Sequence, residues 1–108
     1  MLKVRNIPEV LRKKGVEGKL LKVILSNDVV FMGIFGSYVR GEQRRGSDLD
    51  VAIEYAPGVR KDLFALLDME EELKKVFKRK VDLGILGSLH PAVRGEVEKE
   101  MAVVYEKR

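Results

Sequence analysis

Hydrophobic residues recur along the chain with two different periods, and these periods predict both strands and helices. The continuous apolar run VVFMGIF (29–35) has the length of a strand and is typical of one buried on both faces. LDVAIEY (49–55) alternates between apolar and polar positions, and KVDLGIL (80–86) repeats that alternation. MAVVYE (101–106) predicts a short fourth strand.

The segments between these strands have the three-to-four-residue spacing of amphipathic helices. VEGKLLKVIL (16–25) and residues 60–78 each place their apolar side chains on one stripe. Three shorter helical segments are predicted at residues 7–13, at residues 37–42 and near Pro91, where Ser88 would be the cap. Helices flanking a small mixed sheet of about four strands make the fold class α/β, in an α+β two-layer arrangement.

Composition limits the chemistry that this chain can carry. Its 108 residues, without repeats or linkers, predict a single domain over residues 1–108, with a motif core at 29–86. The sequence has no cysteine and one histidine, so any metal site must use oxygen ligands, which suit Mg²⁺ or Mn²⁺ better than Zn²⁺. No apolar run has membrane-spanning length and no signal peptide opens the chain, so we expect a soluble, cytoplasmic protein.

The charge balance is basic but mixed. A formal net charge of +4 permits an anionic partner. The basic residues at positions 74–80 lack interleaved aromatic residues that could stack on bases, so we interpret them as a helix end and expect no direct nucleic-acid binding. Abundant Lys, Arg and Glu with few Asn and Gln is typical of a thermophile.

Three aspartates share a strand face in this prediction. Asp48 and Asp50 project from the same side of their strand, about 7 Å apart. Asp82 also projects opposite the core face of its strand, beside the small residue Gly84, as Asp50 lies beside Ala52. If the two strands are neighbours, three carboxylates converge on one surface with room for a ligand.

Such a cluster is unfavourable unless a cation neutralises it. Two carboxylates about 5 Å apart repel each other by roughly 3 kcal/mol at an effective dielectric constant near 20. Mg²⁺ prefers carboxylates together with substrate phosphates, and two such ions could activate an attacking oxygen and stabilise a leaving one. The sequence therefore predicts a magnesium site at Asp48, Asp50 and Asp82.

A Gly-Ser turn precedes the acidic strand. Gly36 and Ser37 end an apolar strand and enter a helical segment, where free N–H groups and a hydroxyl suit a phosphate. Arg40 is the arginine that we assign to the nucleotide, whereas Arg44 and Arg45 are interpreted as solvated surface.

Each of these residues also has an ordinary structural interpretation. Ser-Asp pairs often close turns before strands, Gly-Ser pairs often form plain turns, and an exposed strand aspartate is common. His90 is interpreted as a capping or surface residue, and Tyr38 and Tyr105 as packing residues. The combination of the turn, the acid pair and the third acid in phase favours the functional interpretation.

The sequence FGSYVRGEQRRGSDLDVAIEY followed by KVDLGIL resembles the DNA polymerase beta-type nucleotidyltransferase superfamily, whose motif is Gly-Ser, ten residues, then Asp-x-Asp. The likeness covers roughly residues 18–106, and the short length resembles the minimal nucleotidyltransferases, many of them antitoxins encoded beside a HEPN-domain ribonuclease toxin. The resemblance implies a nucleotidyltransferase fold in which Gly36 and Ser37 hold the triphosphate. Asp48 and Asp50 would bind two Mg²⁺ ions, and Asp82 would complete the second metal site and help to deprotonate the acceptor.

The resemblance also implies an activity. Members transfer AMP from ATP to a hydroxyl with release of pyrophosphate, and some adenylylate a tyrosine of the partner toxin. Larger relatives carry an additional domain for the acceptor, so we expect the acceptor here to be a partner protein or a very small molecule. Two alternatives stay open: a non-catalytic protein that neutralises a toxin by covering it, and nucleotidyl transfer to a small molecule in a pocket formed across a homodimer.

Overall fold

A computed structural model describes residues 3–107, in which four strands form one mixed sheet in the order β3-β2-β1-β4. The strands are β1 (Val29–Phe35), β2 (Leu49–Tyr55), β3 (Val81–Ile85) and β4 (Ala102–Glu106). The α-helices are α1 (Val16–Ser26), α2 (Ser37–Arg40), α3 (Leu63–Phe77) and α4 (Pro91–Glu100), with short 3₁₀ turns at Glu9–Leu11 and Leu86–Ser88. The predicted fold class is confirmed.

Local capping explains where the helices differ from their predicted bounds. The Asp62 side chain accepts a hydrogen bond from the Ala65 N–H, so α3 begins at Leu63 and not at residue 60. Ser88 is not the cap of α4: it lies in a 3₁₀ turn, and the His90 side chain accepts from the Ala92 N–H instead.

The segment at residues 7–13 forms only a three-residue 3₁₀ turn in place of the predicted helix. Within the described range 3–107, no helix has the length and apolar character needed to cross a membrane.

The connections of the sheet place the acidic strands side by side. β1 pairs with β2 and β4 in antiparallel register, whereas β2 and β3 are parallel and joined through α3. The Leu49 N–H donates to the Lys80 carbonyl at 2.9 Å, which fixes the register where both strands begin. The amino ends of β2 and β3 therefore lie at the same edge as the carboxyl end of β1.

Alternate residues of the strands pack into two hydrophobic clusters on opposite faces of the sheet. The larger cluster contains Met32, Ile34 and Val51 together with residues of α1 and α3. The smaller cluster contains Phe31, Ala52, Leu86 and Val97, and α4 covers it. Ala52 is thus buried, so the prediction of free space for a ligand beside Asp50 is wrong at this residue. Beside Asp82 the space is present, because a Cβ added at Gly84 would meet nothing within 4 Å.

Candidate active site

The turn after β1 has a backbone conformation that requires glycine. Gly36 has φ 81° and ψ −153°, a combination that side chains other than hydrogen do not tolerate. A Cβ built at this position would lie 2.2 Å from Oδ2 of Asp50. The missing side chain therefore lets the Asp50 carboxylate rest directly against the turn.

The parallel pairing of β2 and β3 brings two of the predicted acids together. Asp50 and Asp82 are direct Cα partners, so their side chains leave the sheet on the same face. Asp48 lies two residues before Asp50, just outside the strand, and both Asp48 and Asp82 are exposed to solvent. The acids converge at the edge where β1 ends and β2 and β3 begin.

The surroundings of Asp50 at this edge of the sheet shift the pKa of its carboxyl. Burial raises the pKa of the Asp50 carboxyl above its ordinary value of 3.8, and the negative charges of Asp82 and Asp48 raise it further. The positive charge of Arg40 opposes this shift, whereas Glu100 adds to it. The site carries an excess of negative charge that a cation would relieve.

This excess of negative charge fits a divalent cation such as Mg²⁺. Among residues 3–107, no group of three or more His, Cys, Asp and Glu side chains is arranged as a ready metal cage. Mg²⁺ needs no such cage, because it commonly binds one or two carboxylates and completes its shell with water and substrate phosphates. Asp50, held between the Gly36 turn and Asp82, has the oxygen ligands and the uncompensated charge that such an ion requires.

Arg40 lies at the end of α2 and contacts two glutamates. Its Nη1 donates to Oε1 and Oε2 of Glu100 at 3.0 and 3.1 Å, and its Nε donates to Glu42. Oε1 of Glu100 also accepts from the Gly36 N–H at 3.2 Å, so this N–H is not free for a phosphate, contrary to the prediction from the sequence. One carboxylate thus joins the glycine turn to the arginine predicted to bind nucleotide.

The remaining predicted residues surround this centre. Ser37 is the first residue of α2 and is half-buried, whereas Arg44 and Arg45 are exposed in the following loop. Tyr38 is buried, with its hydroxyl 3.1 Å from Nη1 of Arg79 and 3.4 Å from the Ser47 carbonyl, so its packing role is confirmed. Tyr105 is buried in the larger cluster as expected.

Glu100 is the residue that sequence reasoning missed. It is 64 residues from Gly36 in the chain and lies at the end of α4, in a run of charged residues that resembles any solvated helix face. Its only distinguishing signal is its position two residues before the apolar β4 strand, which places it near the strand that pairs with β1.

A family model described as "Nucleotidyltransferase domain" matches residues 17–104 of this chain. A Methanocaldococcus jannaschii protein named "Putative protein adenylyltransferase MJ0435" is 34% identical over 95 residues, which cover 88% of this chain and 94% of that protein. The protein adenylyltransferase MntA of Thermococcus cleftensis is 33% identical over 73 residues, covering 68% of this chain and 72% of its own length.

Among solved structures, one described as a toxin-antitoxin crystal structure with AMP-PNP matches with a TM-score of 0.71. The two chains are 25% identical, and the alignment covers 84% of this chain and 73% of the other.

Proposed function

This chain belongs to the nucleotidyltransferase domain family, and we propose that it is a Mg²⁺-dependent enzyme that transfers AMP from ATP to a hydroxyl of a partner protein. The partner we propose is a HEPN-domain ribonuclease toxin encoded beside it, with a tyrosine as the acceptor, so that modification silences the toxin. The names of the relatives support adenylyl transfer, and the toxin-antitoxin structure with AMP-PNP supports both the antitoxin role and the nucleotide.

The observation that carries this proposal is the direct pairing of Asp50 with Asp82 beside the Gly36 turn. Carboxylates for a metal ion and a glycine turn for phosphate then lie at one edge of the sheet. A phosphoryl-transfer site needs this combination, because positioning and charge stabilisation supply most of its catalysis.

The proposed chemistry gives each group a role and gives Asp82 two. Asp48, Asp50 and Asp82 would hold Mg²⁺, which when bound neutralises charge on the phosphates and lowers the pKa of a bound hydroxyl. The Gly36 turn, the Ser37 hydroxyl and Arg40 bind the triphosphate and hold its α-phosphorus in line with the acceptor. The acceptor oxygen forms a bond to this phosphorus, the bond to the bridging oxygen breaks, and pyrophosphate leaves. Asp82, which is exposed to solvent, helps to remove the proton of the acceptor hydroxyl.

The exposure of the acids favours a macromolecular acceptor. Asp48 and Asp82, which we call the acidic rim, are both solvent-exposed. A side-chain hydroxyl presented by a docked protein can reach such a rim, whereas a small acceptor would have few groups to bind it.

The test is transfer of labelled AMP. The protein is incubated with α-³²P-ATP, Mg²⁺ and the product of the adjacent gene, and we expect label on that product. Asp50→Asn should abolish labelling because it removes a metal ligand while keeping the shape of the side chain. Asp68→Asn, at an exposed aspartate of α3 outside the site, is the matched control and should label normally.

Equal labelling by wild type and Asp50→Asn would contradict the proposal. The two alternatives predict different results. A purely covering antitoxin would still neutralise the toxin when both Asp48 and Asp50 are changed to Asn. Transfer to a small molecule would place the labelled AMP on that molecule without any partner protein.

A further inference from the structure

We infer that Glu100 is a positioning residue for the nucleotide: its carboxylate orients Arg40 and the Gly36 turn toward the triphosphate. The inference rests on the proposed function, since it concerns how that same site binds its nucleotide. Glu100 itself is not proposed to touch the reacting atoms.

The first observation is that one carboxylate serves both phosphate-binding elements. Glu100 accepts from the Gly36 N–H at 3.2 Å and from Arg40 Nη1 at 3.0 and 3.1 Å. Gly36 and Arg40 lie on opposite ends of the short helix α2, which has too few residues to be rigid by itself. The carboxylate therefore fixes the spacing between the turn and the guanidinium.

The second observation is that Arg40 keeps donors for a ligand. A guanidinium has five N–H groups in a fixed plane, and the bonds described for Arg40 within residues 3–107 use Nε and Nη1. The two N–H groups of Nη2 are left over. Carboxylates hold Nε and Nη1 of Arg40, and the remaining N–H groups of Nη2 can donate to a phosphate oxygen.

The third observation is that Glu100 is itself anchored. The next residue, Met101, packs where a Cβ of Gly33 would be, with its Sδ only 2.0 Å from that position. Met101 is partly buried and packs against the smaller apolar cluster that α4 covers. The junction between α4 and β4 is therefore fixed against the centre of β1, and with it the backbone that carries the Glu100 carboxylate.

The experiment compares the affinity for AMP-PNP with Mg²⁺, measured by isothermal titration calorimetry, across matched variants. Glu100→Ala should weaken binding about tenfold, and Glu100→Gln, which keeps an oxygen acceptor, should restore part of this loss. In an Arg40→Ala background, Glu100→Ala should add less than about twofold, because the residue acts mainly through the arginine. Glu98→Ala is the control: this glutamate is on the same helix and pairs only with Arg94 among the contacts described for it.

Unchanged affinity in Glu100→Ala, or tighter binding because Glu100 competes with the phosphate for the same donors, would overturn the inference. If Glu100→Ala does not fold, the affinity of Glu100→Gln for AMP-PNP tests the inference instead. Wild-type affinity or tighter binding in Glu100→Gln would show that the charge of Glu100 does not help to position the nucleotide. A wild-type protein that binds no AMP-PNP would overturn the proposed function and with it the inference. Normal binding by wild type with unchanged affinity in Glu100→Ala would overturn the inference alone.

Discussion

At the scale of single residues, the site depends on a contact between a glycine and an acid. Gly36 supplies a positive φ that the chain needs to turn, and its missing Cβ leaves the space that Asp50 fills. The motif spacing made both residues predictable from the sequence. The contact between them was not predictable, because it depends on how far β1 and β2 extend past each other.

Replacing Gly36 by alanine should remove activity. The added Cβ would overlap Oδ2 of Asp50 and the backbone would be strained, so we expect kcat/KM for AMP transfer to fall at least about 100-fold. Gly58→Ala is the matched control, because Gly58 has the same φ of 81° but open space around its Cβ position. If both variants lose stability equally and both keep activity, the contact with Asp50 is unimportant.

The raised pKa of Asp50 has a consequence for stability without ligand. A carboxyl whose pKa is higher in the folded state stabilises the fold at low pH, and this contribution is lost as the pH rises above 3.8 and through the raised folded value. At pH 7 the charged Asp50 is therefore destabilising. Asp50→Asn should raise Tm at pH 7 by about 2–4 °C, a small effect because solvent screens part of the side chain.

Thermal unfolding of Asp50→Asn and wild type across a pH series checks this prediction. The difference in Tm should be largest near neutrality and should narrow toward pH 3.8, where Asp50 itself becomes neutral. Asp68→Asn should show no such dependence, because Asp68 is exposed and lies outside the acidic cluster. A lower Tm for Asp50→Asn at pH 7 would contradict the electrostatic account.

At the scale of elements, the crossover through α3 creates the acid pair. Because α3 returns the chain so that β3 runs parallel to β2, Asp50 and Asp82 meet in register. The alternating pattern predicted that Asp50 and Asp82 share a face of the sheet, and this prediction is confirmed. The role of α4 was not predictable from its sequence, since its polar surface gives no signal that its last residue reaches the turn after β1.

The junction between α4 and β4 should be sensitive to added volume at Gly33. Gly33→Ala would place a methyl group on Met101, and overpacking of this kind costs about 1–2 kcal/mol, or a fall in Tm of roughly 5–15 °C. Met101→Ala in the same chain should restore part of the loss, because it removes the overlapping sulfur. Differential scanning calorimetry measures both effects.

Gly84→Ala is the control for this pair of variants. It is also a strand glycine, but nothing lies within 4 Å of its Cβ position, so its Tm should not fall. An unchanged Tm in Gly33→Ala would mean that Met101 moves aside freely and that the junction is not fixed as described.

At the scale of the whole molecule, the fold could be predicted better than the site. The four strands and the main helices follow from hydrophobic period alone, because burial on two faces of a sheet demands those periods. The site joins residues from the turn after β1 and from α2, β2, β3 and α4, and sequence reasoning missed the contribution of α4. Contacts of long sequence separation, such as that of Glu100 with Gly36, leave no local pattern to detect.

The stability of the hydrophobic core should not depend on a metal ion, whereas nucleotide binding should require one. The hydrophobic clusters consist of apolar side chains that need no metal to pack, so EDTA should leave the Tm of the protein alone unchanged. AMP-PNP with Mg²⁺ should raise Tm, with about 2.7 kcal/mol gained at a ligand concentration 100 times Kd, and EDTA should abolish this rise. A fall in Tm with EDTA alone would instead indicate a structural metal.

Because Asp48 and Asp82 are exposed, water can reach the site as easily as an acceptor hydroxyl can. Without an acceptor in place, a competent site of this shape would consume ATP by slow hydrolysis to AMP and pyrophosphate. A cell can tolerate such an enzyme only if idle turnover is rare, and the simplest safeguard is that the docked acceptor itself shuts water out. Selectivity would then be a property of the complex and not of the small chain that carries the chemistry.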